Sequence, residues 1–205
     1  MKTFSKIVSL LFHPLFIPIY LVLVLFAIPS LQIQRVNPQF RHVLIGLLAI
    51  NNIFLPIASF YILKQKGSIQ SFQMESSAER EKPYFILFAL YSITAIMLLR
   101  INYLDPIISF IPIAAATTVI TLIPFNRYLK ISAHLASMGS AIGYLFLIHF
   151  YIGYTMLIPI IIAFLLAGIT ANSRLYLKAH TATEVYSGFV LGAFITLLIG
   201  SFYLF

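Results

Sequence analysis

The chain has no cysteine and very little charge: only 9% of its 205 residues are Asp, Glu, Lys or Arg. The first absence excludes disulfides and thiolate metal sites, although it does not choose a compartment. The second, set beside 61% hydrophobic residues and a mean hydropathy of +1.00, excludes an ordinary soluble domain and predicts an integral membrane protein. No stretch has the Pro/Ser/Gly or like-charge bias of a linker, and no internal repeat is visible. Residues 1–205 therefore read as one domain built almost wholly of membrane helices, an all-α polytopic bundle. The formal net charge of +8 does not indicate nucleic acid. The cations sit at the ends of apolar segments, without a basic stripe interleaved with stacking aromatics.

What the sequence does have is long apolar runs. Asking for roughly 20 predominantly apolar residues per span places seven, at 8–29, 42–63, 84–104, 106–124, 134–151, 154–171 and 185–205, with six as the alternative count. Lys2 and Lys6 before the first run resemble the charged start of a signal peptide. That run is too long for one, and Ala27-Ile28-Pro29 lacks the small-x-small cleavage pattern, so an uncleaved first span is expected. Pro106, Pro112 and Pro124 make the fourth span a candidate for a broken or interfacial segment. Tyr151-Ile152-Gly153-Tyr154 marks a tight helical hairpin between the fifth and sixth.

With this alternation three polar clusters return to one membrane face: Arg80-Glu81-Lys82-Pro83, then Ser132-Ala133-His134, then Ser173 through Glu184. The third sets a guanidinium, an imidazole and a carboxylate in order. A carboxylate four residues after a histidine lies on the same face of a helix, so Glu184 is expected to hold one ring nitrogen of His180 and leave the other free as nucleophile or ligand. Arg174 is placed to fork onto phosphate oxygens. His149, deep in an apolar run, reads as a packed helix-interface residue, Lys178 as a positive flank and Asp105 as a turn residue. His13, beside Pro14, reads either as a helix-interface group or as the lining of a cavity on the active face.

These residues resemble the type 2 phosphatidic acid phosphatase superfamily, which includes lipid phosphate phosphatases, bacterial acid phosphatases and vanadium haloperoxidases. Ser173, Arg174, His180 and Glu184 follow that family's Ser-Arg-x5-His-x3-Asp spacing, with glutamate for the final aspartate. Ser132 and His134 match its Pro-Ser-Gly-His, with Ile131 and Ala133 in place of proline and glycine. Lys82-Pro83 resembles the end of its Lys-x6-Arg-Pro, where Glu75 stands in place of the lysine. The likeness runs from about Arg80 to Gly188.

The resemblance implies a membrane-embedded, metal-independent phosphatase acting on a lipid phosphate monoester or diphosphate, without a cofactor. His180 is then the nucleophile, Glu184 its orienting acid, and His134 the general acid and base. Arg174, Lys82, Arg80, Ser132 and Ser173 bind the phosphoryl oxygens. Phosphatidic acid, phosphatidylglycerol phosphate, isoprenyl phosphates and a lipid A phosphate all remain open as substrates. A lipid phosphotransferase and a non-catalytic membrane scaffold with a degenerate phosphate site are the alternatives. Membrane lipids are the expected surroundings, with no nucleic-acid partner and an undetermined oligomeric state. The site is expected on a bacterial inner membrane. Lys2, Lys6, Lys64, Lys66, Arg80, Lys82, Arg127, Lys130, Arg174 and Lys178 share the active face, against Arg35, Arg41 and Arg100 opposite. That bias makes the active face cytoplasmic, whereas analogy with the family makes it periplasmic.

Overall fold

The computed structural model describes residues 1–28, 37–74 and 76–205. Among the described residues the chain forms eight helices and no strand: α1 (Lys2–Leu11), α2 (Ile17–Ala27), α3 (Pro38–Gln65), α4 (Ser77–Leu99), α5 (Pro106–Asn126), α6 (Ala133–Ile152), α7 (Leu157–Tyr176) and α8 (Ala182–Leu204). The last six are long and apolar enough to cross a membrane. The protein is an all-α transmembrane bundle.

The expected first span is not one helix. α1 stops at Leu11 and α2 starts at Ile17, with His13 and Pro14 in the break. Proline has no N–H to continue the ladder and its ring displaces the preceding turn. α1 turns Ser5, Val8 and Ser9 inward and leaves Phe4, Ile7, Leu10 and Leu11 exposed. Its exposed surface is thus largely apolar, with Lys2 and Lys6 also on it.

Proline acts differently in α5. The chain does not break there, contrary to the sequence expectation: α5 runs through both Pro112 and Pro124. Pro106 occupies the first turn, where a missing N–H costs nothing, and the Asp105 side chain caps the Ile107 N–H at 3.0 Å. The stretch around Pro112 is held inside the bundle, and the Tyr144 hydroxyl of α6 donates to the Ile107 carbonyl at 2.7 Å. Neighbouring helices keep the distorted turn in place. α3 accommodates Pro56 in another way, through a single π-helical turn at Ile50–Phe54 just before it. The hairpin between α6 and α7 forms where expected, with Gly153 closing α6 at φ +64°.

The tightest packing in the bundle is α6 against α8. A Cβ on Gly192 would meet the Ala136 carbonyl, and one on Gly139 would meet that of Phe189. Small residues let the two backbones approach. The consequence lies at the end of the pair: the Ser132 N–H donates to the Glu184 carbonyl at 3.0 Å, which brings the second and third polar clusters together.

Candidate functional site

α7 ends in a tight turn that explains the spacing between Arg174 and His180. The Ala179 N–H bonds back to the Arg174 carbonyl and the Lys178 N–H to that of Leu175, with Lys178 at φ +51°. This is the paired-bond helix terminus usually finished by glycine. The next helix starts two residues later, with Thr181 as its cap. Thr181 Oγ1 accepts the Glu184 N–H, and Glu184 Oε2 accepts the Thr181 N–H at 3.1 Å. A capping box of this kind satisfies backbone donors at the helix start.

His180 therefore lies just before α8. The expected pairing with Glu184 forms, but across the cap and not along a helix face: His180 Nδ1 is 2.9 Å from Glu184 Oε2. The same nitrogen is 3.1 Å from the Lys130 carbonyl. A carboxylate and a carbonyl can only accept, so Nδ1 carries the proton and Nε2 keeps its lone pair. The His180 side chain is only 2% exposed. Burial pushes its imidazole down from 6.5 to about 4, the Glu184 hydrogen bond opposes this, and the charges of Arg80 and Arg174 add to the fall.

The neutral, lone-pair form is thus the resting form at neutral pH. Because the folded pKa lies below the unfolded one, this group stabilises the fold above about pH 6.5 and loses that contribution as pH falls toward 4. Any reaction that needs the free Nε2 should persist below pH 6 in the free protein. A pH profile of kcat/KM measures this, and an acid limb near 6.5 would contradict the buried geometry.

The other polar groups converge from three helices. His134, in the first turn of α6, places Nε2 3.0 Å from the Ser9 carbonyl, so this nitrogen also carries a proton. Arg80, in the first turn of α4, is 6% exposed and donates from Nε to the Met74 carbonyl and from Nη1 to that of Ile131, both at 3.0 Å. Arg174 has a buried Nε without a hydrogen-bond partner. A buried, unpaired guanidinium N–H is costly, and an anion is the natural acceptor.

His180, His134, Arg80 and Arg174 all line one cavity of about 400 Å³. Its remaining wall is mostly apolar, built from α2, α3, α4, α5 and α6. The structure does not bring every expected phosphate ligand there. Lys82 is exposed and donates to Ser68 Oγ at 3.1 Å, while Ser132 and Ser173 are buried and do not line the cavity. Ser132 Oγ has no partner. Glu75 lies outside the described residues. His149 is not packed deep between helices as expected: it stands in the last turn of α6, with Nδ1 3.2 Å from the Tyr154 carbonyl and 3.3 Å from the Met156 nitrogen of the hairpin loop.

His13 does line the cavity, with its ring edge-on to His134 at a centroid distance of 5.1 Å. Its Nδ1 accepts the Leu15 N–H at 3.4 Å. The sequence signal was an intramembrane histidine beside a proline, and the α1–α2 break is what turns it inward. Chemically, the cavity joins a buried imidazole lone pair, two guanidinium groups and two further imidazoles to a long apolar chamber. Among the described residues no group of three or more His, Cys, Asp or Glu side chains is placed to hold a metal. No protein-family model, curated protein or solved structure matches the chain.

Proposed function

We propose that the protein is a membrane-embedded phosphatase that hydrolyses a lipid phosphate through a phosphohistidine. The observation that carries this reading is one cavity whose polar end holds His180 beside Arg174 and Arg80 and whose remainder is mostly apolar. Phosphate chemistry and a hydrocarbon tail are provided for in one continuous space.

In the first step the His180 Nε2 lone pair attacks phosphorus, and the bond from phosphorus to the lipid oxygen breaks. His134 keeps its Nε2 proton on the Ser9 carbonyl, receives a second proton on Nδ1 from the bound phosphate monoester or a water, and passes that proton to the leaving oxygen. In the second step water attacks phosphorus, its proton passes to His134, and the P–N bond breaks to release phosphate and restore His180. Arg174 and Arg80 neutralise the growing charge on the phosphoryl oxygens; fixed donors of this kind commonly contribute a few kcal/mol. The cationic role that the family pattern gives to Lys82 falls to Arg80. Glu184 supports the positive charge that His180 acquires.

The test is release of inorganic phosphate by the purified protein from detergent micelles doped with phosphatidic acid, phosphatidylglycerol phosphate, isoprenyl phosphates or a lipid A phosphate. Release from at least one, undiminished by EDTA, is the expected result. No release from any would end the proposal. Loss with EDTA and recovery with magnesium would replace the phosphohistidine route with metal-assisted hydrolysis.

We place the site on the cytoplasmic face of a bacterial inner membrane. Among the described residues, Lys64, Lys66, Arg127, Lys130 and Lys178 lie at or beside helix ends on the same side of the bundle as Arg174 and His180, with Arg41 and Arg100 at the other end. Since the chain has no cysteine, single cysteines report cleanly. Tyr128→Cys beside the site should resist a membrane-impermeant maleimide in intact cells, while Tyr103→Cys opposite should react. Both positions are well exposed. The reverse labelling would place the site in the periplasm.

A further inference from the structure

The cavity has a defined depth. On α4 its wall runs from Arg80 through Tyr84 and Leu87 to Tyr91. At about 1.5 Å per residue these eleven steps span about 16 Å along the helix. On the antiparallel helix α5 the wall runs from Leu122 through Thr118 and Ala114 to Ile111. Again there are eleven steps and about 16 Å. Two facing helices thus give the same length independently.

Below that level the bundle closes. Thr94, Ile107 and Ile108 are buried and do not line the cavity. Asn51, in the π-helical turn of α3, donates from Nδ2 to Thr94 Oγ1 at 3.2 Å. Tyr91 and Ile111 are both 2% exposed and form the floor above this closed layer.

We propose that the cavity measures the hydrocarbon chain of its substrate, with Tyr91 and Ile111 as the stop. This rests on the phosphatase reading, which puts the phosphoryl group at the polar end. An extended chain advances roughly 1.25 Å per carbon, from tetrahedral C–C bonds of about 1.5 Å. The distance from Arg80 to the floor then takes about 13 carbons, or about three isoprene units, in extended form. The substrate class is a phosphate ester of a medium-length alkyl, acyl or short prenyl chain. A longer chain has to fold back or leave through the side of the cavity, losing contacts that a chain of matching length keeps.

The experiment is phosphate release from monoalkyl phosphates, decyl through octadecyl, at a fixed mole fraction in detergent micelles. The wild type should prefer dodecyl or tetradecyl phosphate over octadecyl phosphate by about tenfold, the scale on which apolar pockets discriminate chain length. Tyr91→Ala and Ile111→Ala lower the floor and should raise the relative rate on octadecyl phosphate. Ala114→Leu, one turn above the floor, should move the preference toward decyl phosphate. Simple destabilisation cannot shift the preference in opposite directions. A wild type indifferent to chain length, or variants that keep the wild-type preference, would overturn the proposal.

A separate arm does not depend on turnover. Thermal stabilisation of His180→Ala by alkylphosphonates of the same lengths should break at the same chain length. If wild type releases no phosphate from any ester while this break is present, the phosphatase reading fails and the chain-measuring cavity stands. If the break is absent, the ruler fails whatever the turnover shows.

Discussion

His180→Ala should abolish phosphate release, by roughly four orders of magnitude or more, while leaving the protein folded. A nucleophile that acts together with an acid and fixed donors cannot be removed piecemeal, because bound water has neither its position nor its effective concentration. The structure makes the substitution tolerable. His180 stands in the short link between α7 and α8, and the link keeps its paired-bond terminus after Arg174 and the Thr181–Glu184 capping box without the ring. The measurement is single-turnover and steady-state phosphate release by purified variant and wild type, with thermal melts in the same detergent. A variant that melts like wild type and releases phosphate equally fast would remove His180 from the mechanism. Acid-labile labelled phosphate on the wild type, absent from the variant, is the matching positive result.

Glu184→Gln should lower kcat by about two orders of magnitude or more, and Glu184→Asp by less than about tenfold. One carboxylate oxygen of Glu184 serves both the His180 ring and the Thr181 N–H. An amide oxygen can accept the same two bonds, so glutamine keeps the cap and the ring orientation but removes the charge that favours imidazolium. The Lys130 carbonyl continues to hold the Nδ1 proton, which limits the loss below that of a site with the wrong tautomer. Aspartate keeps the charge and shortens the reach by one methylene. Equal losses from the two variants would show that reach outweighs charge. Full activity in both would reduce Glu184 to a helix cap.

Different parts of this arrangement were legible in the sequence for different reasons. The six long spans follow from apolar runs and the thickness of a bilayer, a constraint that acts on each segment separately. The α6–α7 hairpin was equally local, since Gly153 adopts the left-handed turn that other residues resist. The prolines were not. Pro14 breaks the first run and Pro112 does not break α5, because the outcome depends on whether neighbouring helices hold the distorted turn. That information is absent from the segment itself.

The same division runs through the candidate site. By itself the sequence determined which side chains are available and that they gather at one end of the bundle, because helices that cross a membrane must alternate in direction. Only the tertiary structure decided which of them face each other. Arg80 and Lys82 are two residues apart on α4 and so point to nearly opposite sides. The packing of α4 on the turn before α6 turns Arg80 inward to the Ile131 carbonyl and leaves Lys82 with Ser68. His13 reaches His134 through a break that no periodicity announces. The His180 tautomer is set by a carboxylate four residues later and by a carbonyl fifty residues earlier. Local hydrophobicity fixes where a helix lies in the bilayer, but the direction of a side chain around that helix depends on partners distant in the chain.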